Sequence, residues 1–160
     1  MTSNCSYVVP PDFKIISGGQ SGADRGGLNF AINNNLSHGG WCPKGRRSDN
    51  GIIPAIYNLQ EHPSPNHLDM MEANILMADF TLIFARRISI NTNQIAAIAK
   101  RRKTPFLVLR AWSDKDYLKA FILECSPRVL NIAGDVESVS PGICAGVEGF
   151  LNLILNVKRK

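Results

Sequence analysis

The sequence predicts an α/β protein, a Rossmann-like three-layer sandwich with a mainly parallel sheet and helices on both faces. Three observations carry this. Short runs such as Phe80 to Phe84 and Phe106 to Leu109 are apolar nearly throughout, as strands covered on both faces are. Other stretches place apolar residues every three to four positions, the period of amphipathic helices. The two kinds alternate along the chain, and alternation implies parallel strands joined by helical crossovers.

Residues 1–13 carry paired prolines and little periodicity and read as a lead-in. Lys14 to Ser17 is a short β-prone run, followed at once by a glycine loop and a helix from Ala23 to about Asn34. Between His38 and Pro65 the glycines and prolines leave little room for a long regular element, and a loop of that length inside a compact domain is usually functional. From Asn66 the pattern turns helical, with Leu68, Met71, Ile75 and Ala78 on one face; the strand Phe80 to Phe84 follows. A helix over about Asn93 to Arg102 presents Ile95, Ile98 and Ala99, and Pro105 ends it before the strand Phe106 to Leu109. Asp114 is placed to cap a helix carrying Leu118, Phe121 and Ile122, and Val129 to Ile132 makes the next strand. Ser140 as N-cap and Pro141 at the first helical position open a last helix with Ile143, Val147, Phe150, Leu151 and Ile154.

At 160 residues, with 44% hydrophobic and 19% charged residues, the chain suits one compact domain, expected over 14–157 with a basic tail at 158–160. The longest apolar stretch, Gly142 to Val147, falls far short of the ~20 residues of a membrane helix. The N-terminus has neither the basic start nor the apolar segment of a secretory signal, so a cytoplasmic location is expected. Four cysteines, at positions 5, 42, 125 and 144, form no C-x-x-C pair and no metal spacing with His38, His62 or His67, so no structural metal is expected.

The net charge of +5 suggests a polyanion partner, but its placement argues otherwise. With the four cations of Lys100, Arg101, Arg102 and Lys103 and the three of Lys158, Arg159 and Lys160 set aside, 11 of the 18 basic residues remain against 13 acidic ones. Both clusters read as helix ends, where the dipole favours cations, and nucleic acid is not the expected partner.

Parallel sheets bind ligands where loops leave the carboxyl ends of their strands. Three segments can reach that edge. The first, Ser17 to Gly27, follows a strand with a glycine-rich turn and opens a helix, the arrangement that offers backbone N–H groups to an anion; a plain strand-to-helix turn would look similar. It is neither a Walker A loop nor a G-x-G-x-x-G fingerprint. The second, His38 to Arg47, sets Lys44, Arg46 and Arg47 beside Trp41, as a cationic stacking site or as a solvated surface loop. The third, Asn131 to Gly142, is again strand, polar loop and capped helix. Asp135 and Glu137 in it fit a phosphate poorly unless a metal or an amine is present.

Four runs in this order, KIISGGQSGADRGGL, HGGWCPKGRRSDNGIIPAIY, EANILMADFTLIF and LNIAGDVESVSPGI, resemble the family described as molybdenum-cofactor carriers. That family is a circularly permuted branch of the SLOG-type nucleotide-binding superfamily, related to the LOG, or lysine-decarboxylase-like, proteins. The resemblance runs from about Lys14 to Leu155. It implies a Rossmann-like fold, a bound phosphorylated ligand such as the molybdenum cofactor (molybdopterin) or a nucleotide, and self-association into dimers or tetramers. Residue by residue it implies binding roles for Gly18, Gly19, Gln20, Ser21, Gly22 and Asp24 in the first loop and for Lys44, Gly45, Arg46 and Arg47 in the basic loop. It also marks Asn74, and in the last segment Asn131, Gly134, Ser138, Ser140 and Gly142. Two departures stand out: residues 85–93 contain no glycine where the family has a Gly-Gly-Thr loop, and Asp135-Val136 replaces a frequent Pro-Arg. Arg86 and Arg87 would restore charge there, or Asn91 and Thr92 would simply cap the next helix.

No nucleophile with an adjacent base can be named, so a binding or carrier protein is the first expectation. The alternative is a nucleotide-processing enzyme, a LOG-like glycosidic hydrolase, in which Glu72, Asp24 or Asp135 would supply the carboxylate. Its P-G-G-x-G-T-x-x-E signature is absent.

Overall fold

The computed structural model describes residues 7–110 and 112–158, so Cys5, Arg159 and Lys160 lie outside the described residues. Strand β1 (Tyr7–Val8) precedes β2 (Lys14–Ile16), whose glycine loop enters helix α1 (Ala23–Asn33). The glycine- and proline-rich stretch that follows holds only short pieces: β3 (Ser37–Gly39), β4 (Trp41–Cys42), a 3-10 turn at Lys44–Arg46, the antiparallel pair β5 (Arg47–Ser48) and β6 (Gly51–Ile52), and β7 (Gln60–Glu61). Then come α2 (His67–Met77), β8 (Phe80–Phe84), α3 (Ile90–Arg102), β9 (Phe106–Leu109), α4 (Lys115–Cys125), β10 (Val129–Gly134), α5 (Ile143–Ile154) and β11 (Leu155–Asn156).

The main sheet has five parallel strands in the order β3-β2-β10-β8-β9. Strand β8 shows why its run is apolar throughout. Phe80, Leu82 and Phe84 pack into the layer made by α1, α4 and α5, while Ile83 joins Met70, Met71 and Ile75 of α2 and Ile95, Ile98 and Ala99 of α3 on the opposite face. The predicted three-layer α/β sandwich is therefore the observed fold. A smaller cluster, Leu28 of α1 with Cys42, Ile53, Tyr57 and Leu59, packs the stretch after β3 against the outer side of α1. That stretch is thereby held in place although it has no long element of its own.

Several expectations are corrected. Within the supposed lead-in, β1 pairs with β11, and Tyr7, Val9 and Phe13 are buried. Helix α3 starts at Ile90 rather than Asn93, because Ser89 Oγ accepts from Thr92 N at 3.2 Å and serves as the cap in place of Asn91 or Thr92. Helix α5 starts at Ile143 after a left-handed Gly142, so Ser140 and Pro141 belong to the preceding turn. Asp114 occupies the N-cap of α4 without a side-chain cap bond, and Leu68 is exposed while Met70, Met71, Asn74 and Ile75 form the buried side of α2. The KRRK cluster does close α3, and its Arg101 and Arg102 pair with Glu72 of α2. Of the second basic cluster only Lys158 is among the described residues, and β11 separates it from Ile154 at the end of α5.

Two glycines allow the strand ends to meet. Gly134 (φ +147°) lies against the Phe84 carbonyl and Gly22 (φ +85°) against that of Asp135, and a Cβ at either would run into backbone. Gly134→Ala is therefore expected to cost roughly 3 kcal/mol or more. Gly142→Ala, also at positive φ but with open space around it, should cost only about 1 kcal/mol. Urea unfolding of the two variants checks the contrast, and equal losses would refute it.

Candidate functional site

At the carboxyl edge of β2 the chain turns through residues 17–22. Gly19 N donates to Ser17 Oγ at 3.3 Å and Gln20 N to Asp24 Oδ2 at 3.2 Å. Ser21 gives both its N–H (2.9 Å) and its hydroxyl to the Asp49 carboxylate. The β5–β6 hairpin is strapped onto this loop: Gln20 exchanges bonds with the backbones of Arg47 and Asp49, each at 3.1 Å, and Arg25 donates to Gly19 O, Ser48 Oγ and Asn50 Oδ1.

The last segment is occupied in the same manner. Glu137 accepts from Gly142 N and, at 3.0 Å, from Cys144 N, so the chain's own carboxylate sits at the start of α5. Asp135 accepts Arg86 N at 3.0 Å and the buried Ser140 hydroxyl at 2.6 Å, both on Oδ2. The departure at Asp135 thus fastens the glycine-free segment after β8. Ser138 is exposed in the turn between.

These loops enclose a cavity of about 550 Å³. One wall is apolar, formed by Met70, Met71, Ile75 and Ile95; the polar wall includes Gly18, Gln20, Asp24, Asn131, Gly134 and Asp135. Neither Lys nor Arg lines it. A neighbouring cavity of about 580 Å³ holds Lys44, Gly45 and Arg47 together with Glu61, whose carboxylate accepts Gly45 N. His67 and Met70 line both cavities, so the two adjoin.

Like Ser21 and Ser140, two more of the residues expected to bind spend their polar groups on internal partners, although Asn74 also lines the apolar-walled cavity. The Arg46 guanidinium donates to four backbone carbonyls, of Ile53, Pro54, Tyr57 and Leu59, at 2.9–3.3 Å. Asn74 uses both ends of its amide on Trp41, accepting its N–H at 2.8 Å and donating to its carbonyl at 2.9 Å. Trp41 itself is half-buried, packed beside α2 and edge-on to His62 at 5.4 Å, rather than presented as an open stacking face. Arg86 lines a separate pocket with Arg110 and Trp112. Sequence reasoning missed the walls supplied by Met70 and by Ser89, Ile90 and Asn91, and missed Asp49 and Glu61 as internal acceptors. The adjacent methionines of α2 were the one available signal, since flexible thioethers suit a ligand-facing wall.

Two further facts bear on chemistry. Among the described residues no group of His, Cys, Asp and Glu is arranged to hold a metal, and no helix is long and apolar enough to cross a membrane. Burial raises the pKa of the Cys42 and Cys144 thiols, which suppresses the thiolate.

The family description "Circularly permutated YpsA SLOG family" matches residues 15–155. The chain belongs to that family. It is also similar to a crystal structure, at 1.45 Å resolution, of a protein named "Putative molybdenum carrier protein" from Syntrophus aciditrophicus SB. The identity is 34% over 91% of this chain and 96% of that one, with a TM-score of 0.84. A comparison with curated proteins finds no match.

Burial pushes Asp24 up from an ordinary value of 3.8 to about 7, with Asp49 adding repulsion and the Gln20 N–H and Arg25 opposing. An acid whose folded pKa exceeds its unfolded one stabilises the fold fully below about pH 4 and loses that contribution as pH rises through about 7. Asp24→Asn removes this dependence. The stability of the native protein relative to Asp24→Asn should fall by roughly 2–4 kcal/mol between about pH 4 and about pH 8, measured by urea unfolding. A pH-independent difference would contradict the buried, protonated Asp24.

Proposed function

We propose that the protein is a binding or carrier protein for a small phosphorylated anionic ligand, the molybdenum cofactor or a nucleotide, acting as a cytoplasmic homo-oligomer. The observation that carries this reading is the pair of adjoining cavities at the carboxyl edge of the parallel sheet, one of them lined by Lys44 and Arg47. An edge of this kind is where α/β sheets take ligands. Family membership and the carrier name of the similar crystal structure support it.

The residues present fit such a ligand in kind. Lys44 and Arg47 would hold the phosphate as charge-assisted donors, and the apolar-walled space would hold the remainder of the molecule. Of the carboxylates named for the hydrolase alternative, Asp24 and Asp135 line the apolar-walled cavity, but neither the family description nor the similar crystal structure's name points to that activity. Glu72 is paired with Arg101 and Arg102 and lines neither cavity, and the segment after β8 has no glycine.

Native mass spectrometry of the purified protein should detect a phosphorylated pterin or nucleotide. No such ligand, together with no binding in a thermal-shift screen, would defeat the proposal. Lys44→Ala and Arg47→Ala should each weaken phosphate-ligand affinity by about tenfold while leaving the fold intact. Arg46→Ala should instead lower the thermal midpoint, because it leaves four carbonyls without their donor.

A further inference from the structure

The apolar-walled cavity holds a combination the phosphate alone does not explain. Asp135 is only 5% exposed and lines it, and both hydrogen bonds it accepts from described residues fall on Oδ2. No side-chain nitrogen or oxygen among the described residues is both sealed from solvent and unpaired. Asp135 Oδ1 accepts nothing from the described residues, and Asp135 lines this cavity. Asn131, 3% exposed, is alike: its Nδ2 donates to Thr81 Oγ1 at 3.3 Å, and its Oδ1 accepts nothing from the described residues. Two deeply buried side chains thus present acceptors to a space that neither Lys nor Arg lines, facing the apolar wall of Met70, Met71, Ile75 and Ile95.

Resting on the binding role proposed above, we infer that the apolar-walled cavity takes the ligand's heterocycle rather than its phosphate. Asp135 Oδ1 accepts from one of a ring N–H and its neighbouring amino group, the paired donor edge that guanine and pterin share, and Asn131 Oδ1 from the other, while the phosphate reaches Lys44 and Arg47 past His67 and Met70. Each of these two oxygens accepts an N–H donor, and a flat ring fills a slot between apolar side chains. Adenine offers a ring nitrogen acceptor beside its amino group and cannot make the same pair. A buried acceptor left without its donor is penalised, so the preference should be marked.

Calorimetric titration of the native protein with GMP, neopterin monophosphate, AMP and ribose phosphate tests this. GMP or neopterin monophosphate should bind at least ~10-fold more tightly than AMP and ribose phosphate, and the tighter of the two identifies the ring. AMP binding as well as both, or ribose phosphate binding as well as GMP, would overturn the inference and leave the phosphate-binding role standing. No binding by any of the four would overturn both. Asp135→Asn keeps an oxygen for Arg86 N and Ser140 but loses the carboxylate, so it should lose ~10-fold or more for the favoured ring compound and nothing for ribose phosphate. The native panel decides the matter even if that variant fails to fold.

Discussion

The carboxyl edge of the sheet is held together through Asp135. Its N–H donates to Phe84 O at 2.8 Å and its carbonyl accepts Ala23 N at 3.0 Å, so the ends of β8 and β10 and the start of α1 are tied through one residue. Its carboxylate adds Arg86 N and the Ser140 hydroxyl, which orient the segments leading into α3 and α5. A buried carboxylate is costly unless donors surround it, and here its two donors come from two separate segments that must be in place together. The close approach of Gly22 and Gly134 at this point is the steric side of the same requirement.

From that junction outward, the chain supplies its own anions to its own donors. Asp49 takes the N–H of Ser21, Glu61 that of Gly45, and Glu137 those at the start of α5, while the buried Asp24 carboxyl accepts that of Gln20. Each arrangement would suit a phosphate if the carboxylate were elsewhere. Internal carboxylates instead make these loops rigid and move the attraction for an external anion to side-chain cations. In the adjoining cavities those are Lys44 and Arg47. The net charge of +5 says little about this, because the KRRK cluster is at the end of α3 with two of its members paired to Glu72.

What could be read in the sequence follows the range of the interactions involved. Strand β8 and the stripe of α5 are local patterns, and both lie where periodicity put them. The glycine loop and its helix were equally legible, because a positive-φ turn before a helix leaves a compositional trace. Helix starts were misplaced where cap residues compete: Ser140 has the right chemistry for an N-cap, but Asp135 claims its hydroxyl. Partners distant in sequence left no trace at all. Nothing local distinguishes Arg46, enclosed by carbonyls, from Arg47, which lines the basic cavity, and Asn74 reads as a polar helix residue until Trp41 is seen 33 positions away.

The separation of charge between the two cavities sets what the site can accept. A phosphate placed about 4 Å from the Asp135 carboxylate would be repelled by about 4 kcal/mol per unit charge at an effective dielectric near 20. The apolar wall opposite lowers the local dielectric further, so the penalty does not shrink toward its value in water. The same phosphate beside Lys44 and Arg47 gains attraction instead of paying repulsion. A ring with N–H donors reverses both signs, since it satisfies the buried acceptors and covers the methionine wall. One molecule carrying both groups therefore has a preferred direction in the adjoining cavities. That preference arises from which side chains are buried at each end, with no requirement that the glycine loops touch the phosphate.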